Sequence, residues 1–389
     1  MNTEPVYLDY AATTPVDPRV VAAMQACLTK DGSFANPASI HIKGRLSALL
    51  VARARASLAA LLHTNAACLV WTSGATESNN LAIQGAARAR AHRGRHLITM
   101  PTEHKAVVDT FKALEKEGFE VSWVHPDVNG LLSPDALRSA MRDDTQLVSV
   151  MHVNNETGVI QDVRSIGSLC RENDVLFHTD AAQSVAKLDI DLDDLPVDLL
   201  SLTAHKFYGP QGIGALYIAD RPGTSISPIM FGGGQEKRLR PGTLPVHLVV
   251  GAGMAAAIAE TEMASNACHT EAMQDRLWAG IEGVDGLTRN GSGEHCYAGI
   301  LNVSAIGVEG ESLMLGMEPV CVASGSACNS TSGESSYVLR ALGRDDVLAQ
   351  SAVRFSFGRT TTAEDIDIAI ERYRWAVTHL RSIAPAMTA

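Results

Sequence analysis

"DLLSLTAHKFYGPQGIGALYIA", residues 198–219, places one lysine, Lys206, between two short apolar runs. If "DLLSLTA" (198–204) and "GALYIA" (214–219) are strands, Lys206 stands just past the carboxyl end of the first. Upstream, "HLITM" (96–100), "LVSVMHV" (147–153) and "VLFHTD" (175–180) repeat the short apolar pattern. Between them "TESNNLAIQGAARARAH" and "VVDTFKALEKEG" carry apolar residues at helical spacing. Strands alternating with helices predict an α/β domain. "GRLSALLVARARASLAALLH" precedes it as a long helix candidate. After about residue 262 the alternation gives way to helix, a few strands, a polar cysteine loop and the helix candidate "AEDIDIAIERYRWAVTHLRSI". The expected organisation is a large α/β domain over residues 16–262 and a smaller α+β domain from 1–15 and 263–389. A chain of 389 residues suits two such units.

With 46% hydrophobic and 19% charged residues and no long uncharged apolar run, the chain reads as globular, with no membrane association expected. "MNTEPVYLDYAATTP" lacks a basic stretch followed by an apolar one, which makes the cytoplasm the expected location. Seven cysteines at irregular spacing, with no C-x-x-C pair, support neither a disulfide framework nor a metal site. A net charge of -11 argues against direct nucleic-acid binding.

In open α/β sheets ligands bind beyond the carboxyl ends of the strands. "SGATESNN", "TEHK", "NNETG", "DAAQS" and "HKFYG" all fall there. Any one of them reads as an ordinary polar loop; five at one sheet edge read as a site. "TSGATES" leads Ser73, Gly74, Ala75 and Thr76 into a helix start, where free N–H groups and the helix dipole attract an anion such as phosphate. Thr76 is also a candidate N-cap, and the two roles can coexist. Lys206 is either a solvated lysine or a partly desolvated amine able to form a Schiff base. Asp180 ends an apolar strand, and a carboxylate there needs a cationic or N–H partner. Phosphate site, lysine and strand-end aspartate together resemble pyridoxal phosphate enzymes.

In order and spacing, "LDYAATTP", "NPASIHIKG", "TSGATESNNLAI", "TEHKAV", "HVNNETG", "DAAQSV", "HKFYGPQGIGALY", "GGGQE", "RPGTLPV", "SGSAC" and "VRFSFGR" resemble the NifS/IscS-type cysteine desulfurases, of the class V aminotransferase family. The resemblance runs from about Tyr7 to about Tyr373. It implies the fold type I pyridoxal phosphate architecture, with a large mixed-sheet α/β/α domain and a small C-terminal one. It implies that Lys206 holds the cofactor aldehyde and moves the substrate Cα proton, that Asp180 faces the ring nitrogen and that Gln183 bonds the ring hydroxyl. By the same resemblance His104 would stack on the ring and assist proton transfers, and its place in "TEHKAV" favours that over a buried structural histidine. Ala75, Thr76, Thr203 and His205 hold the phosphate, joined by Thr243 of "RPGT" from the partner subunit of a homodimer. Thr203 stands where serine is frequent and keeps the hydroxyl. By the same resemblance Asn155 and Arg354 would position the cofactor and the substrate carboxylate, Arg354 through the bidentate geometry that suits a carboxylate; for Arg354 alone, a surface salt bridge is the duller explanation.

"ASGSACNSTSGESS" (323–336) then gains a meaning, because it sets Cys328 among residues that cannot bury it. The resemblance makes Cys328 the thiolate that takes sulfur from L-cysteine, leaves alanine and carries a persulfide to an acceptor protein. A polar Gly/Ser-rich loop suits such travel. Gln235 stands where many members carry histidine, and the sequence closes on "SIAPAMTA" without the longer tail those members use on an iron-sulfur scaffold. Iron-sulfur assembly, tRNA thiolation and DNA phosphorothioation all begin with this reaction. Selenocysteine lyase is the nearest rival reading. An aminotransferase has no use for Cys328, and a decayed scaffold would have lost the lysine or the cysteine.

Overall fold

The computed structural model describes residues 4–324 and 335–383. In chain order the strands are β1 (Val6–Tyr7), β2 (Leu69–Thr72), β3 (His96–Thr99), β4 (Glu120–Trp123), β5 (Thr145–Ser149), β6 (Leu176–Asp180), β7 (Leu199–Thr203), β8 (Gly214–Ile218), β9 (Leu287–Arg289), β10 (Ile300–Ala305), β11 (Val320–Cys321), β12 (Ala323–Ser324) and β13 (Val353–Ser356). The helices are α1 (Pro18–Gln25), α2 (Ile42–Leu61), α3 (Ala75–Ala89), α4 (Lys105–Lys116), α5 (Pro134–Ala140), α6 (Val163–Glu172), α7 (Val246–Ile281), α8 (Gly310–Gly316), α9 (Tyr337–Ala341), α10 (Asp346–Gln350) and α11 (Ala363–Ile383).

Seven strands form one sheet in the order β2-β8-β7-β6-β5-β3-β4. β8 pairs antiparallel with both of its neighbours, and the other pairs are parallel. Six carboxyl ends therefore meet at one edge. β5, β6 and β7 are buried at every position, as strands covered by helices on both faces must be. The edge strand β4 is only partly buried and was not legible as an apolar run. The predicted strand over 147–153 ends at Ser149, where the chain turns into the cleft.

One core cluster packs α2, α6 and α7 on this sheet, and a second packs α3 and α4 on it. A separate cluster holds Val6, Leu8 and residues between Leu277 and Val377, around the sheet β12-β13-β10-β9. α7 runs through both regions, with Val249, Ala252, Ala255 and Ala256 in the first core and Leu277 and Ile281 in the last. By length and composition α7 could cross a membrane, yet it packs along α1, α2 and α11 as a core helix of this fold. The N-terminal segment joins the two regions: β1 pairs with β11, and Asp9 bridges to Ser356. The chain then continues through Ala11–Thr14 to the edge of the large sheet, where Thr14 bonds the His205 carbonyl.

Candidate active site

The carboxyl ends of β2, β3, β5, β6 and β7 surround a cavity of about 530 Å³. Ala75, Thr76, His104, Asn155, Asp180, Gln183, Thr203, His205, Lys206 and Arg354 all line it. Thr243 is exposed and lies outside this lining, and Cys328 falls outside the described residues. Ala11 and Ala12 complete one wall.

The loop from β2 to α3 makes the sharpest local feature. Gly74, the N-cap of α3, has φ of 151°, a conformation strained for any residue with a Cβ. Gly214 packs so tightly on it that an added Cβ would come within 2.7 Å of the Gly74 Cα. α3 has no side-chain cap. Thr76 is therefore not the cap that the sequence suggested; it lies inside the first turn and lines the cavity. A helix N-terminus whose amides lack side-chain partners attracts an anion. Glu77 also lines the cavity, and its carboxylate is engaged by the Ser73 N–H at 2.7 Å and by Arg240 at 3.0 Å.

β7 delivers Thr203, His205 and Lys206. His205 Nδ1 meets the Thr13 hydroxyl at 3.1 Å. Burial, and then the charges of Lys206 and Lys187, push its pKa down to about 4, which makes it a neutral hydrogen-bonding group near pH 7. The half-buried Lys206 donates from Nζ to the Ala11 carbonyl and, at 2.7 Å, to that of Ala12. Asp180 is 4% exposed and accepts Asn79 Nδ2–H at 2.7 Å and the Ala182 N–H at 2.9 Å, partners that fix its rotamer at the strand end. Gln183 donates to the Ala11 carbonyl at 2.8 Å.

Arg354 comes from β13 of the other sheet. It is 2% exposed, with its guanidinium held by Asp9 at 2.8 Å and by the Asn155 carbonyl at 2.7 Å. Its Nε–H is buried and has no partner among the described residues. At 2% exposure a surface salt bridge is ruled out for this arginine, and a buried guanidinium in a cavity wall suits a carboxylate guest. His104 caps α4 by accepting the Ala106 N–H at Nδ1, which puts the proton of its neutral form on Nε2.

Two buried carboxyls escaped the sequence reading. Glu103 has zero exposure, accepts the Met151 N–H at 2.8 Å, and is pushed well above the usual carboxylate range by burial. Glu156 accepts the Ser336 hydroxyl, and burial raises its pKa to about 7 against the charges of Arg354 and His104. Both lay in plain view in "TEHK" and "NNETG", but only burial separates them from ordinary loop acids.

The donor set suits pyridoxal phosphate and an amino acid: one uncapped helix start with neutral hydroxyls and imidazole for a phosphate, a strand-end carboxylate, a lysine, and a separate buried guanidinium. The chain matches the aminotransferase class-V family over residues 6–368. It is 52% identical over 382 residues, 98% of this chain and 95% of the other, to a protein named cysteine desulfurase IscS from Shewanella sediminis (strain HAW-EB3). Among solved structures, a NifS-like protein superposes with a TM-score of 0.89 at 34% identity, covering 96% of this chain and all of the other. SspA in complex with cysteine superposes with a TM-score of 0.80 at 38% identity, covering 92% and 99%.

Proposed function

The chain belongs to the aminotransferase class-V family, and we infer that it is a pyridoxal phosphate-dependent cysteine desulfurase, which converts L-cysteine to L-alanine and passes the sulfur on. The observation that carries this reading is the joint presence of Lys206, Asp180, the uncapped start of α3 and the buried Arg354 guanidinium around one cavity.

Bound there, pyridoxal phosphate supplies an aldehyde for the substrate amine and a ring that draws electrons from Cα, weakening the Cβ–Sγ bond. The amides of Ala75 and Thr76, with the Thr203 hydroxyl and His205, would hold its phosphate. Asp180 would hold the ring nitrogen and Gln183 the ring oxygen, with His104 in the same cavity wall. Arg354 binds the substrate carboxylate, with Asn155 beside it. Lys206 takes and returns the Cα proton. In sequence the reactive thiol is Cys328: its thiolate accepts the substrate sulfur and an S–S bond forms as Cβ–Sγ breaks. Protons at Cβ and Cα complete alanine, and the persulfide moves to an acceptor protein such as a cluster scaffold or a thiolation enzyme. The working unit is a cytoplasmic homodimer in which Thr243 reaches the other subunit's phosphate. The division into residues 16–262 and residues 1–15 with 263–389 is supported by core clusters that fall on either side of it.

The test supplies L-cysteine and dithiothreitol and measures alanine and sulfide together. Equal amounts of both are expected. Cys328→Ser should keep the cofactor's absorption band and its response to cysteine, while turnover falls by about 10³-fold or more, as for loss of a catalytic nucleophile. Alanine release at the parent rate would remove Cys328 from the reaction, and a keto acid in place of alanine would return the protein to transamination. Faster turnover of selenocysteine than of cysteine would favour the lyase.

A further inference from the structure

Behind the cavity wall, Lys187 and Lys206 are joined through two groups. Lys187 Nζ donates to Gln183 Oε1 at 2.7 Å, and Gln183 Nε2 donates to the Ala11 carbonyl at 2.8 Å. Lys206 donates to that same carbonyl. Gln183 lines the main cavity and is 3% exposed. Lys187 does not line it; it borders a small neighbouring cavity of about 40 Å³ with Lys206, Tyr208, Tyr297 and Arg359. Its Nζ lies 5.3 Å from the centre of the Tyr297 ring.

The geometry leaves the Gln183 amide one orientation. Lysine Nζ offers donors, and a backbone carbonyl offers only an acceptor. Turning the amide over would break the bond that Lys187 donates to Oε1 and set that oxygen against the Ala11 oxygen, a repulsion whatever the charge on Lys187. With Oε1 engaged by Lys187 and one Nε2–H engaged by Ala11, the second Nε2–H is what Gln183 can donate to the cavity. An amide held the other way would stabilise a protonated ring oxygen; this one stabilises the ionised oxygen.

We propose that Lys187 is a positioning residue for the reaction: bonded to Gln183 Oε1, it fixes the Gln183 amide as a hydrogen-bond donor toward the ring oxygen of the cofactor. The proposal rests on the reading of Gln183 as the ring-oxygen partner. It assigns a role to a lysine that touches neither cofactor nor substrate. Burial, with the charges of Lys206 and Arg354, holds the Lys187 amine well below the usual lysine range. Protonated, Lys187 can only donate to Oε1; neutral, it can still donate there, and the Ala11 carbonyl excludes the turned amide in either state.

The experiment is a spectrophotometric pH titration of the holoenzyme's cofactor band, paired with cofactor affinity measured by fluorescence on the stripped protein. Lys187→Met should raise the pH midpoint of the band by several tenths to about one unit and weaken cofactor binding roughly 2- to 10-fold, the size of one lost hydrogen bond. Lys187→Arg, which can still donate, should restore most of both. Gln183→Leu should shift the midpoint likewise, and the double variant should shift it no further, because Lys187 acts through Gln183. If Lys187→Met destabilises the fold, Lys187→Ala gives the same reading. A midpoint moved by Gln183→Leu but not by Lys187→Met would overturn the proposal while sparing the role of Gln183. Additive shifts would overturn it by showing that Lys187 acts through its own charge. An unshifted Gln183→Leu would remove the role of Gln183, and the proposal with it.

Discussion

The two walls of the cleft proposed to receive anions are made in opposite ways. The wall at Ser73–Thr76 is local: chain neighbours, backbone amides and a helix dipole, with neutral His205 beside them. The wall at Arg354 is assembled from distant sequence. Its guanidinium stands on the small sheet and is fastened to Asp9, 345 residues away, and to Asn155, 199 residues away. A wall made of several backbone donors has no single side chain on which it depends. A wall made of one buried cation does, and removing it also strands the acid that was holding it. The phosphate side should therefore tolerate side-chain loss, and the carboxylate side should not.

The largest effect falls on the residue that both walls face. Lys206→Ala should lose the absorption band of the linked cofactor and roughly 10⁴-fold or more in turnover, beyond the usual share of a single proton-transfer group. A band that persists unchanged would place the linkage on another lysine and break the comparison at its centre.

Next comes Arg354→Met. Truncating a buried, hydrogen-bonded charge costs about 2–5 kcal/mol, so kcat/KM for L-cysteine should fall by roughly 30- to several thousandfold. The cofactor band should remain, since the phosphate wall is intact. Steady-state kinetics with a spectrum of the resting variant checks both halves. Loss of the cofactor together with activity would show that the walls are not separable.

Glu156 tests what sits behind the Arg354 wall. Its folded pKa of about 7 lies above the ordinary 4.5 because burial disfavours the carboxylate. A raised folded pKa means that Glu156 contributes stability below about pH 4.5 and loses it as pH rises through about 7. Glu156→Gln has no proton to lose. Relative to the parent it should gain up to roughly 3 kcal/mol between pH 5 and pH 8, read as a difference in denaturant midpoint at matched pH. The neutral histidines His152, His178 and His205, whose pKa values are all lowered by burial, tilt the acid side the other way; both proteins share them, so the difference isolates Glu156. A constant offset at every pH would mean that Glu156 ionises as an exposed acid does.

The same contrast explains what the sequence could reveal. The strands β3, β5, β6, β7 and β8, the helices α2, α3, α4 and α11 and the phosphate loop are written in short windows, where period and turn chemistry are visible. β4 was not visible because an edge strand need not be apolar. Arg354 was readable only through resemblance, since its partners are decided by the packing of β13 beside Asp9. Glu103, Glu156 and the Lys187–Gln183 link were invisible because a carboxyl or an amine in a loop gives no sign of burial until the chain around it is folded.

The smallest expected effect is also the one that tests whether the phosphate wall is complete in a single chain. Thr243 is exposed and does not line its own cavity, while "RPGT" in the resembling family serves the other subunit. Removing one neutral hydrogen bond costs about 0.5–1.5 kcal/mol, so Thr243→Ala should weaken cofactor binding by roughly 2- to 10-fold. Thr76→Ala should do the same from within the chain, because amides of the first turn remain to hold the phosphate. If Thr243 serves a partner, dilution to the monomer, followed by sedimentation, should weaken cofactor binding in the parent but add little to the loss in Thr243→Ala. Unchanged affinity in Thr243→Ala, or a monomer that binds cofactor as tightly as the dimer, would leave the wall entirely local and Thr243 outside it.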